Sequence, residues 1–277
     1  MGVFRARGSF WLLVYSCTAA VVLGRGVGAS PVVVQSSSAA ADTVGLGSAV
    51  VAGNTLVLGV AWMRGASGHT TGVADTLGNT GWVQVGVESN PADGEYFVCE
   101  VWACVSARGG SCGATVSFAS ESGVTVSCCL AEVSGLASSL SVMGSGGRFG
   151  NSGSASSGSV AMSGAGLVVA MLGVASDTST SVLSGWSRVG VENGGGRQVF
   201  EMDAVVVSGA ESVSAAWSIG PDIWEVCVVG FAGAVPSRGY TGNGFFETYG
   251  CQVFVWWFFC EGAEFGVWFI RSRQRLY

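Results

Sequence analysis

The chain has 277 residues, 45 of them Gly, with 49% hydrophobic and 11% charged residues and a net charge of −6. Disorder accompanies low hydrophobicity and high charge, whereas ten Trp and fourteen Phe give this chain a core to bury. All basic residues are Arg, and between residues 30 and 240 six Arg stand against fifteen Asp and Glu, so no cation cluster exists there to hold phosphates and no nucleic-acid partner is expected. Abundant Gly and Ser lower helix propensity and the Val-rich runs favour strands, which predicts an all-β fold.

Residues 1–29 read as a secretory signal. Arg5 and Arg7 are followed by an apolar run from Phe10 to Leu23, and Val27-Gly28-Ala29 offers small residues at a cleavage site. A buried first strand or an uncleaved anchor is the alternative, although fourteen apolar residues are short for a span. Residues 30–240 then carry four ordered pairs of similar segments. Leu56–Trp62 is similar to Leu167–Ala175, Gly81–Ser89 to Gly185–Asn193, Cys99–Ala103 to Phe200–Ala204, and Val124–Gly135 to Asp222–Gly233. These segments define half-repeats at about 50–135 and 160–234, each offering about four strands joined by Gly, Ser, Asn and Asp turns. A half-sheet has one apolar face, so two halves packed face to face are expected, in an antiparallel, jelly-roll-like β-sandwich. Gly144–Gly158 is the Gly/Ser connection between them, read as a crossover within one domain.

The C-terminal stretch 241–277 is different in texture. Cys251–Ile270 is strongly aromatic and precedes Arg271, Arg273 and Arg275, which suits a membrane anchor, while Glu261 and Glu264 oppose one. A β-hairpin bending at Glu261-Gly262, an oligomerisation tail and an atypical extension are the other readings.

Ala52-Gly53-Asn54-Thr55-Leu56-Val57, Asp75-Thr-Leu-Gly78-Asn79-Thr80-Gly-Trp82 and Glu132-Val-Ser-Gly135 together resemble a β-sandwich module that recurs in bacterial exported proteins and phage virion proteins. The resemblance covers residues 31–234. It implies a structural, decorating or adhesive role without a common active site, with cell-surface or virion proteins as partners. Its motifs are turn and strand signatures, and the nine cysteines and the aromatic tail depart from it.

Candidate chemistry is sparse. His69 is the only histidine, so a Ser-His-Asp or Cys-His system would require it, and a multi-histidine metal site is excluded. Glu88, Glu100, Glu132, Glu192, Glu201 and Asp203 could supply a hydrolytic carboxylate pair. However, Glu88 matches Glu192 and Glu100 matches Glu201, and equivalent positions favour an architectural use over the two unequal environments catalysis needs. Asp75 and Asn79 could contribute to a Ca²⁺ site, but Asp-x-x-Gly-Asn is also what a tight turn requires. Trp102, replaced by Asp203 in the second half, is the expected exposed aromatic of a carbohydrate-binding face, and glycans are the alternative partner. Trp82 and Trp186 recur in both halves and are assigned to the core. An exported protein permits disulfides, with Cys104–Cys112 and Cys251–Cys260 as the local hairpin candidates. The resulting expectation is a non-enzymatic structural or adhesive protein, secreted, at the cell surface or on a virion. A carbohydrate-binding module is the alternative.

Overall fold

The computed structural model describes residues 30–64, 70–90, 96–119, 124–176, 180–181, 184–193 and 199–234, and the backbone of 247–248, 251–260 and 263–272. The expected signal, residues 1–29, and His69 lie outside them. The chain divides into two compact units, residues 1–236 and 237–277. All elements of the described residues are β-strands, paired antiparallel.

In the first unit the strands are β1 (Val32–Ala39), β2 (Thr43–Gly45), β3 (Thr55–Arg64), β4 (Thr70–Asp75), β5 (Val83–Asn90), β6 (Tyr96–Cys104), β7 (Gly113–Phe118), β8 (Thr125–Ser134), β9 (Val142–Met162), β10 (Gly166–Val174), β11 (Ser187–Asn193), β12 (Val199–Val207) and β13 (Glu211–Ala232). They build a first five-stranded sheet, β1-β8-β3-β6-β5, and a second, β9-β13-β10-β12-β11. The segments that match in sequence occupy the same place in the two orders. Their irregularities match too. β5 and β11 shift register between Gln84 and Gly86 and between Arg188 and Gly190, while β1 shifts opposite Val133/Glu132 and β9 opposite Phe231/Gly230. Such bulges bend and twist a strand, so the two sheets curve at corresponding points.

The two sheets pack face to face. Val57, Val101, Ala131 and Val133 of the first meet Val169, Met171, Met202 and Val229 of the second in one buried cluster. Each sheet is also covered on its other face, which adds two outer layers to the expected pair of sheets. Over the first sheet lies the small sheet β2-β7-β4, whose Val44, Ala114 and Val116 bury Leu56, Leu58 and Leu130. Over the second, the ends of the long strands β9 and β13 fold back, and Ala155, Val160, Ala215 and Trp217 bury Val168, Ala170 and Leu172. This double cover explains why β3 and β10 read as continuous apolar runs rather than alternating ones.

The sheet edges meet along two seams. On one, Ser36 donates to the Val189 carbonyl at 2.6 Å, and Ser38 to the Val191 carbonyl at 3.2 Å and Glu192 at 2.7 Å. These hydroxyls occupy carbonyls of an edge strand that would otherwise invite another strand.

In the second unit β14 (Glu247–Thr248), β15 (Cys251–Cys260) and β16 (Ala263–Ser272) form a three-stranded sheet. The aromatic segment is thus a hairpin, with Cys260 paired to Ala263, and not a helical anchor. Cys251 and Cys260 end the same strand. At about 3.3 Å per residue they lie roughly 30 Å apart, which rules out a disulfide between them.

Candidate functional site

Alternation along β6 and β12 points successive side chains to opposite faces, and this sends Glu100, and both Glu201 and Asp203, into the outer sandwich of each half. The two sites occupy corresponding registers, with Glu100 opposite Val60 and Glu201 opposite Leu172. Both glutamates are buried, yet they are satisfied differently.

In the first half every donor is neutral. Glu100 Oε1 accepts from Trp62 Nε1 at 3.0 Å and Thr70 Oγ1 at 2.8 Å, and Oε2 accepts from Trp102 Nε1 at 2.7 Å. Trp102 is therefore a buried donor and not an exposed sugar-stacking aromatic. A half-repeat neighbour that is acidic says nothing about exposure, and here the indole N–H is needed to satisfy a carboxylate two residues away.

In the second half Arg188 on β11 donates to Glu201 Oε1 through Nε at 2.9 Å and Nη2 at 2.7 Å, and the Thr180 hydroxyl bonds Oε2. Asp203, in the slot of Trp102, accepts from Trp217 Nε1 at 3.0 Å through Oδ2, while its buried Oδ1 has no partner. Burial, and then the neighbouring Glu201 charge, raises the Asp203 carboxyl well above the ordinary aspartate value. The pair thus has two unequal environments, a condition for acid–base chemistry. But Glu201 and Asp203 are 0% and 1% exposed, so nothing reaches either carboxyl without displacing Arg188 and Thr180. Chemically the cluster holds an ion pair inside a core, beside a carboxyl that keeps its proton to a higher pH than an ordinary aspartate.

Glu132 closes the far end of the first half. Its oxygens accept from Val51 N at 2.8 Å, Asn54 Nδ2 at 2.6 Å and Gln35 Nε2 at 2.7 Å, which ties the Val51–Asn54 turn and β1 to β8. Burial acts to raise its pKa, and the three donors outweigh that, holding the carboxyl below its usual value. Asp75 accepts four hydrogen bonds within its own turn. Leu77 N and Asn79 N reach Oδ1 at 3.0 and 3.1 Å, and Asn79 Nδ2 and Trp82 Nε1 reach Oδ2 at 3.0 and 2.6 Å. Asn79 Oδ1 accepts from Arg108 N at 3.0 Å, and Gly78 takes a positive φ of 69°. These atoms are occupied by the turn, which leaves Ca²⁺ no free carboxylate oxygen there. No group of three or more metal-ligating side chains occurs among the described residues.

The six described cysteines are free and buried. Cys104 and Cys112 do not form the expected disulfide. Cys104 ends a strand of the five-stranded sheet and Cys112 precedes one of the small sheet, so the segment between them crosses layers instead of turning a hairpin. Burial raises both thiols, Cys112 to about 11, which keeps them protonated and inert. Cys128 and Cys129 face opposite cores, as adjacent strand residues must.

The sequence pointed to Glu100, Glu201 and Asp203 and offered Trp217 only as one of several aromatics able to stack on a sugar, and it missed Arg188 and Thr180. Arg188 was legible as the one cation in the β11 run, two residues beyond Trp186. It also missed Glu225, which faces the seam between the two sheets with Cys99 Sγ 3.6 Å from Oε1 and Oε2 unpartnered. Burial raises Glu225 to about 8 against the pull of the thiol, with Glu88 adding to the rise. An acidic residue inside Ile223–Val229 was the available signal.

No protein-family model, curated protein or solved structure matches the chain.

Proposed function

We propose that residues 31–234 act as a non-catalytic structural or adhesive module of an exported cell-surface or virion protein. One observation carries this reading: three of the candidate carboxylates, Glu100, Asp203 and Asp75, are bonded to tryptophan indoles of the same chain. Glu100 holds Trp62 and Trp102, Asp203 holds Trp217, and Asp75 holds Trp82. Evolution of a site for outside molecules leaves some polar groups free to meet them, whereas here they fasten the layers.

The test uses the full chain. Fractionation of producing cells or particles should place it in the surface or particle fraction, and a glycan array and a panel of glycoside substrates should give no saturable binding and no turnover. Saturable glycan binding would replace this reading with the carbohydrate-binding one. Turnover abolished by Glu201→Gln would replace it with a hydrolase.

A further inference from the structure

The inner faces of the two five-stranded sheets share a register but not a size. Gly59 pairs with Val101 and Cys129 in the first sheet, and Met171 pairs with Met202 and Cys227 in the second. By the same registers Cys99 corresponds to Phe200, Val133 to Phe231 and Ser127 to Glu225. At five of these places, Gly59, Val101, Cys99, Val133 and Ser127, the first half carries the smaller residue; Cys129 and Cys227 are alike, and Ala61 against Gly173 runs the other way.

The large residues fill the small ones' space. A Cβ on Gly59 would lie 2.8 Å from the sulfurs of both Met171 and Met202. Glu225 is accommodated beside Cys99, whose thiol it holds, and across the seam Phe200 borders the crevice left at Ser127, which is too narrow to admit a water molecule. Two further contacts are reciprocal. Gly86 of the first half abuts Cys227 of the second, and Gly190 of the second abuts Cys129 of the first, with a Cβ at either lying under 3 Å from the facing sulfur. Reciprocity of this kind is the mark of an isologous, two-fold interface.

We propose that the seam is a volume-coded recognition surface on which the first half accepts the second half of the same chain and rejects a copy of itself. First half against first half would set Gly59 beside Gly59 and Ser127 beside Cys99, leaving voids that a close-packed interior does not tolerate. Second half against second half would press Met171 on Met171 and Glu225 on Phe200, overpacking the centre and stripping the carboxyl of its thiol. Tethering through β9 raises the effective concentration of the correct partner further. The two halves are thereby kept as one pseudo-dimer in a single chain, although their matching architecture would otherwise favour exchange between molecules.

Moving the knob across the seam tests this in the full chain. Gly59→Met imitates the large–large pairing and Met171→Gly the small–small one, and the double variant restores one large and one small residue. Each single change should lower the urea midpoint, and the double should recover at least half of the loss caused by Gly59→Met, with wild type and double both monomeric by light scattering. Should Gly59→Met fail to fold, the milder cycle of Gly59→Ala and Met171→Ala reads the same coupling, because the drop from Gly59→Ala should be at least halved when Met171 is already Ala. Additive losses in the cycle that folds, or a wild-type chain that is a dimer in solution, would overturn the proposal.

Discussion

Glu100 and Glu201 occupy corresponding slots of two similar half-sandwiches and solve one problem in two ways. The first half surrounds its buried carboxylate with two indoles and a hydroxyl. The second replaces one indole by Asp203 and brings in Arg188, whose side chain is 37% exposed, against a Glu201 side chain at 0%. Neutral donors leave the first site tolerant of its surroundings, while the second depends on a counter-charge at the rim and on a proton on its neighbour. A slot in a fold thus specifies that a buried carboxylate be satisfied, not by what.

The largest expected effect comes from removing the counter-charge. Arg188→Ala leaves Glu201 buried beside Asp203 without its cation, which should cost about 2 to 3 kcal/mol in urea unfolding, below the full buried-pair value because Arg188 reaches solvent. Its counterpart Gln84→Ala, on an exposed side chain, should stay within about 0.5 kcal/mol. Equal losses at the two positions would break the contrast.

Next in size is the loss of an indole donor. Trp102→Phe leaves Glu100 Oε2 unpartnered and should cost about 1 to 3 kcal/mol. At a pH well below Asp203's raised value of about 7, Trp217→Phe should cost less, since the protonated carboxyl depends less on the donor. Unfolding curves that rank the two the other way would contradict the protonated state of Asp203.

The smallest and most specific effect is on pH dependence. The folded chain keeps a proton on Asp203 that the unfolded chain releases, so stability falls as pH rises from the ordinary aspartate value to Asp203's raised one, and is level above it. Glu225 adds a falling limb of the same sign that ends near pH 8. Glu132 acts oppositely, its contribution being lost as pH falls through its depressed value. Asp203→Asn should flatten the first limb and Glu225→Gln the second, while Glu132→Gln should flatten only the acid side. A limb unchanged in its own variant would sink that assignment.

Much of the architecture was legible because it rests on local pattern. The paired Gly-Trp segments, the apolar runs and the Asp75–Trp82 turn marked strands and turns of an all-β fold. What escaped was the layer count. One cover per face was expected, whereas the unbroken apolar runs Leu56–Met63 in β3 and Gly166–Val174 in β10 announced two. The site was legible by residue type but not by role, because Trp102 looks the same in sequence whether its N–H meets water or Glu100. The disulfide guesses failed because nearness in sequence did not mean a hairpin: Cys104 ends β6 and Cys112 stands just before β7 of another sheet, while Cys251 and Cys260 end a single strand.

The double cover of β3 and β10 has one more consequence. Each lies between two ladder partners, β8 and β6 or β13 and β12, and beneath side chains on both faces. Their amide hydrogens face neither an edge nor a surface, so solvent deuterium meets them only when a whole half comes apart. The middle of each half is where the molecule would hold its original hydrogen longest.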